Sequence, residues 1–293
     1  MSPAEQRDTR TYFHPKRYER SLSPTAAEFE MKSLPEFAHR LRSEWLLRLL
    51  RDERLYSVFQ PILFSGKADI LAAVFGYECL LRGRDDRGEV VSPDRMMRMA
   101  QGADLLFQFD IAARRTAIVS AAEKGLGGTC KIFINFVPTS IYNPKTCLES
   151  TMRLIDEMGI QRHQIVFEII ESERLPELAH LRRIVDYYRD QGFGVALDDL
   201  GAGFSSLSAL AALRPDYVKI DRSLIQNVHK DAYRAVIARK LLEIAQELGI
   251  RSVAEGIETE EEYAWAKEHG ADLVQGYYFA RPSETPPLLR IPN

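Results

Sequence analysis

The sequence predicts an α/β protein: a modified (β/α)8, TIM-like barrel with one antiparallel strand, preceded by an N-terminal helical extension. Two observations carry the barrel. From Leu55 onward, eight short runs rich in β-branched and aromatic residues recur over some 230 residues. Amphipathic helical stretches separate most of them, including ELAHLRRIVDYYRDQG and AYRAVIARKLLEIAQELG, which end on Gly192 and Gly249. A third observation sets the reversed strand. Only LFSGKADILAA separates the first two runs, too short for a crossover helix, so this junction reads as a hairpin.

The elements follow in order. Residues 1–33 are polar, mixed in charge and without periodicity, and read as a partly disordered arm. Residues 34–54 read as an amphipathic helix, with Ser33 placed to cap it and Phe37, Leu41, Trp45, Leu46 and Leu49 at helical spacing. It suits packing against the following domain or binding a regulatory protein. The barrel is assigned to 55–285. Its strands are YSVFQPIL, VFGYECLLR, CKIFINF, QIVFEII, GVALDDL, YVKID, RSVAEGI and LVQGYYF. Residues 286–293 form a tail.

The bulk properties exclude several classes. A net charge of -3 over 293 residues argues against a partner that is DNA or RNA polymer or an anionic membrane surface. Cys79, Cys130 and Cys147 are widely spaced, as incidental thiols of a reducing compartment would be. The first thirty residues lack the apolar core of a signal peptide, and no run approaches the ~20 apolar residues of a membrane helix. The expected location is cytoplasmic. No phosphate-binding glycine loop, GxSxG elbow or HExxH occurs, and no repeat of solenoid period.

The chemistry sits at the strand ends. GYECLLR places Glu78 and Arg82 on one face, and KIFINF brings Asn135 to its end. IVFEIIES carries Glu168 and Glu171, GVALDDL ends in Asp198 and Asp199, and YVKIDRS puts Lys219 and Asp221 on one face. SVAEGIET carries Glu255 and Glu258, and LVQGYYF carries Gln275. In a barrel these ends converge on one mouth, where active sites of the fold lie. So many carboxylates there repel unless a cation sits among them. All six histidines fall outside these motifs, so the ligands are oxygens and the metal expected is Mg2+ or Mn2+. Adjacent Asp198 and Asp199 suit two ions sharing a carboxylate, as in two-metal hydrolysis of phosphate esters. Lys219 suits the attacking water or developing charge, and Arg82 a phosphate.

The runs FQPI, GYECLLR, INF, FEIIESE, ALDDLGAGFSSL, VKIDRS, VAEGIET and QGYYFARP together resemble the EAL domain family, over roughly Leu55 to Pro282. The resemblance implies a barrel with one reversed strand and hydrolysis of cyclic di-GMP to linear 5'-pGpG by two-metal activation of water. It implies metal ligands Glu78, Asn135, Glu168 and Asp198, with Asp199 and Glu255 holding the second ion or its waters. Lys219 matches the lysine near the nucleophilic water, and Glu171 the glutamate anchoring the loop after the aspartates. Glu258 matches a further active-site position. Gln60, Arg82, Asp221 and Gln275 fall at or beside the nucleotide, and homodimers are expected. The alternative weighed is a catalytically silent EAL domain that binds cyclic di-GMP or a protein; an enolase-like lyase fits the Asp-Asp pair poorly. This chain departs from the family pattern at Cys79 for alanine, Gly83 for tryptophan, Leu200 for phenylalanine and Ile170 for threonine. None of these removes an implied ligand.

Overall fold

A computed structural model describes residues 43–66, 74–128, 130–141, 143–170, 178–202 and 206–287. The arm, the helix expected at 34–54 as far as residue 42, Glu171, residues 203–205 of the Asp-Asp loop and the last six residues lie outside them. The strands are β1 (Leu55–Phe64), β2 (Val74–Arg84), β3 (Val90–Val91), β4 (Lys131–Phe136), β5 (Ile165–Ile170), β6 (Gly194–Leu200), β7 (Tyr217–Ile220), β8 (Arg251–Ala254) and β9 (Leu273–Val274). They form one sheet in the order β1-β9-β8-β7-β6-β5-β4-β2-β3, and β1 also pairs with β2. That pairing closes eight strands into a barrel and leaves the two-residue β3 as an appendage to β2. The hairpin reading holds: β1 is antiparallel to both β2 and β9, and the other strands of the ring are parallel.

Helix α1 (Glu44–Arg51) precedes β1, and the others lie between later strands: α2 (Pro93–Gly102), α3 (Leu106–Glu123), α4 (Pro144–Glu157), α5 (Leu178–Asp190), α6 (Ser206–Leu213), α7 (Arg222–Ile225), α8 (Ala232–Glu247) and α9 (Glu260–Glu268). None of the described helices is long and apolar enough to cross a membrane. The main core fills the space between barrel and helices, where Cys79, Ile134, Phe167, Leu197 and Ile220 point outward. Cys79 is thus turned away from the barrel interior, as strand alternation requires.

Inside the barrel a second, smaller cluster comprises Ile62, Phe75, Phe133, Val166, Ala196, Tyr217, Val253 and Leu273, one from each of the eight strands. These residues plug the lower barrel with a dry, aromatic-rich layer. Period-two alternation then dictates what stands above. Two residues on come Asn135, Glu168, Asp198, Lys219, Glu255 and Gln275, and on reversed β1 two residues back comes Gln60. On β2 the step is three, from Phe75 to Glu78, because the β1–β2 register slips between Ile62 and Leu63. Every strand of the ring therefore delivers one apolar residue to the plug and, within the strand or one position beyond its end, one polar residue to the layer above it.

Two expected strands are shorter than their sequence runs. The 251–257 and 273–279 segments leave the ladder early because their backbones bond crosswise: Ile257 N donates to Gln275 O (3.1 Å) and Tyr278 N to Ile257 O (3.0 Å). This approach is so close that a Cβ on Gly276 would run into the Ile257 backbone.

Helix α1 is integral to the domain. Leu46, Leu49 and Leu50 are buried with Val91, Met96, Ala100 and Phe109 in a third cluster. This explains Gly83: a Cβ there would stand 2.8 Å from Leu49 Cδ1 and 3.0 Å from Met96 Sδ. The space a larger side chain would need is taken by α1 and α2.

Candidate active site

The polar layer surrounds Lys219, whose side chain is 1% exposed. Its Nζ lies 2.8 Å from Glu255 Oε1, 2.9 Å from Glu168 Oε1, 3.0 Å from Asp198 Oδ1 and 3.5 Å from Glu78 Oε2. Burial alone would drive the ammonium toward neutrality, but Asp198, Glu168, Glu255 and Glu78 outweigh it and raise its pKa well above the usual lysine value. Lys219 is therefore a fixed positive charge.

The carboxylates show the opposite strain. Burial, with only partial relief from Lys219, lifts Glu168 and Glu255 well above the ordinary glutamate range, and it raises Asp198 also. Asp199 is pushed up to about 6 by burial and by the neighbouring charges of Asp198 and Asp221. One ammonium among five carboxyl groups leaves more acids than a single buried cation can keep ionised.

Asp198 and Asp199 are consecutive, so a regular strand would send them to opposite faces. The β6–β7 register instead shifts between Leu197 and Leu200, and Asp199 adopts φ 57°. This bulge brings both carboxylates to the mouth. Two sets of oxygens result, each gathered within 4.8 Å: Glu78, Glu168 and Asp198, and Asp198, Asp199 and Glu255. Asp198 belongs to both.

Neighbouring amides orient this set. Gln275 Nε2 donates to Glu78 Oε2 (2.7 Å), and Asn135 Nδ2 to Glu78 Oε1 (3.4 Å). That leaves Asn135 Oδ1, Gln275 Oε1 and Glu168 Oε2 buried with no hydrogen-bond partner among the described residues. Orphaned acceptors beside a surplus of carboxyl groups, with no histidine or cysteine in either set, fit hard divalent cations held by oxygen.

A cleft of about 180 Å³ opens above, lined by Gln60, Glu78, Asp199, Asp221, Glu255, Glu258 and Gln275. Gln60 faces Glu78 across the β1–β2 register. Asp221 borders the cleft and also caps α7, accepting from Ser223 N (2.9 Å). Glu258 is an exposed rim residue that accepts from Gln226 Nε2 (3.3 Å). Arg82 is set apart. It lines an adjoining cavity of about 330 Å³ with Asn135 and Asp198, and its guanidinium donates to Leu81 O (2.7 Å). Glu171 lies outside the described residues. Two rim residues were missed from sequence, Arg222 and Tyr277. Tyr277 is an exposed ring under the Arg281 guanidinium (4.4 Å), and its spacing of two from Gln275 was the available signal.

A family model for the EAL domain matches residues 43–282. The chain belongs to the EAL domain family. The EAL domain match begins one residue before α1. The probable cyclic di-GMP phosphodiesterase PdeG of Escherichia coli K12 is 30% identical over 254 residues, 85% of this chain and 48% of its own length. The chain thus spans about half of that relative. Among solved structures, a standalone versatile EAL protein of Vibrio cholerae O395 in its c-di-GMP-bound form is 37% identical. The match has a TM-score of 0.71 and covers 80% of this chain and 95% of that one. The manganese and c-di-GMP complex of Klebsiella pneumoniae BlrP1 is 30% identical with a TM-score of 0.69, covering 78% of this chain and 56% of that one.

Proposed function

We propose that this EAL domain hydrolyses cyclic di-GMP to linear 5'-pGpG in the cytoplasm, with two Mg2+ or Mn2+ ions. The observation that carries the reading is the pair of carboxylate sets sharing Asp198, bordered by orphaned buried acceptors. Glu78, Asn135, Glu168 and Asp198 would hold one ion, and Asp198, Asp199 and Glu255 the other. When bound, such ions lower the pKa of water and offset charge on a leaving oxygen. The protein's own residues supply the rest. Gln275 and Asn135 keep Glu78 in register. Lys219, permanently charged, attracts the negative charge that builds as the phosphodiester is attacked. Gln60, Arg82, Asp221 and Gln275 suit the nucleotide, with Arg222 for phosphate and Tyr277 as a stacking surface at the rim. Glu258 and Glu171 remain assigned to the catalytic surround.

We also propose a homodimer. Tyr233, Val236 and Ile237 form an i, i+3, i+4 stripe on α8 that is 85%, 51% and 47% exposed. Leu241 of the same helix lies 3.5 Å from where a Cβ of Gly201 would stand, so an interface on α8 would adjoin the Asp-Asp loop.

The test is incubation with cyclic di-GMP and Mg2+ or Mn2+, with nucleotides separated by chromatography and Glu78→Ala as control. Metal-dependent pGpG that the variant does not make is expected. Binding without turnover would instead assign the protein to the receptors.

A further inference from the structure

We propose that Asp110, clamped by Arg114, is a positioning residue that sets Asn135 for cation binding. The inference rests on the reading of Asn135 as a metal ligand. Its starting point is the end of β4. The β2–β4 ladder stops at the pair Cys79–Ile134, so Asn135 and Phe136 are paired only on the β5 side, to Glu168 and Ile169. On the other side lies the cavity of about 330 Å³ that Asn135, Val137 and Asp110 line together. A strand end flanked by a cavity, with an amide side chain that must hold one direction, needs another anchor.

Asp110 supplies it from the second turn of α3. Its Oδ1 accepts from Val137 N (2.9 Å), two residues beyond Asn135, and Ser140 Oγ stands 3.4 Å from its Oδ2. The single Ser140 hydroxyl proton goes to the closer acceptor, Val137 O (2.7 Å), so one carboxylate and one hydroxyl grip both polar groups of Val137. Asp110 is 1% exposed, and such a charge is costly unless paired. Arg114, fully buried, pairs with it at 2.5 Å and donates to Thr151 Oγ1 (3.2 Å) on α4. The segment leaving Asn135 is thereby tied to α3 and α4. An apolar pair would fill the same volume with less desolvation, but would leave the Val137 N–H without an acceptor. The retained ion pair serves the backbone behind Asn135.

The experiment is Mn2+ titration calorimetry on the full chain, comparing wild type, Asp110→Asn, Asn135→Ala and the double variant. Asp110→Asn sets an amide donor against Arg114 and is expected to weaken Mn2+ binding about 10-fold, the usual scale for partners behind a metal ligand. In the Asn135→Ala background the same substitution should change affinity less than about 2-fold, and in wild type it should lower kcat for cyclic di-GMP with KM unchanged. Ser140→Ala, which keeps the ion pair, should give a smaller loss that also vanishes with Asn135→Ala. If Asp110→Asn does not fold, Asp110→Leu with Arg114→Met carries the same comparison. Equal losses in both backgrounds, or unchanged affinity, would overturn the proposal. A wild type that binds no Mn2+ would instead remove the metal-site reading on which it stands.

Discussion

Lys219→Met removes the ammonium but keeps a similar length of side chain, so its consequence is almost wholly electrostatic. Three carboxylate oxygens stand 2.8–3.0 Å from Nζ and a fourth 3.5 Å away. At an effective dielectric of about 20, each of the three close pairs has a gross attraction of about 6 kcal/mol. Desolvation cancels most of this, and removing one partner of a buried pair costs about 3–5 kcal/mol. For a domain of this size each kcal/mol moves Tm by about 2–4 °C, so the variant should melt ~10 °C below wild type at pH 7.5 without divalent cation. The loss is conditional on ionised carboxylates. Glu168, Glu255 and Asp198 already take up protons more readily than in the unfolded chain, and without Lys219 they will do so at still higher pH. Lowering the pH to 5, or adding saturating Mn2+, should therefore recover most of the difference. Differential scanning fluorimetry at pH 5 and 7.5, with and without Mn2+, reads this directly. A Tm loss independent of both would refute the electrostatic account and leave only packing.

The remaining predictions use the same logic. For the metal-free wild type, Glu168, Asp198, Asp199 and Glu255 are raised above their unfolded values, so their contribution to stability is largest below the unfolded values. It is lost as pH rises through the folded ones, about 6 for Asp199. The Mn2+-induced gain in Tm should accordingly grow from pH 5 to pH 7.5; a gain that shrinks would contradict the sign. Gly83→Trp should lower Tm by several degrees by displacing Leu49 and Met96, and Leu49→Ala should restore part of it, unlike Leu49→Ala alone. Tyr233→Glu with Ile237→Lys should yield monomers in analytical ultracentrifugation at concentrations where wild type dimerises. A persistent dimer would place the interface elsewhere.

Much of the site was legible because its logic is strand alternation. Glu78, Asn135, Glu168, Asp198, Lys219, Glu255 and Gln275 could each be placed at a strand end, since a period of two assigns faces without tertiary information. Asp199 was expected there through its adjacency to Asp198, but alternation alone would send it to the opposite face, and its arrival at the mouth depends on a bulge and a left-handed backbone. Arg82 shares the parity of Glu78, yet it stands two further steps up β2 and borders a different cavity. Asp110 and Arg114 gave no signal at all: a charge pair at i, i+4 on a helix reads as surface, and only the packing of α3 against β4 shows it buried.

By itself, then, the sequence determined the strand and helix alternation, the apolar residue followed by a polar one on nearly every strand, and the oxygen-only chemistry of the mouth. These are local properties, set by side-chain period and by residue type. The tertiary structure decided which acids share Lys219, which acceptors are left unpaired, how Asp199 turns inward, and that α1 occupies the space above Gly83. Those depend on barrel closure through the reversed β1 and on register shifts, where residues far apart in the chain come within hydrogen-bonding distance.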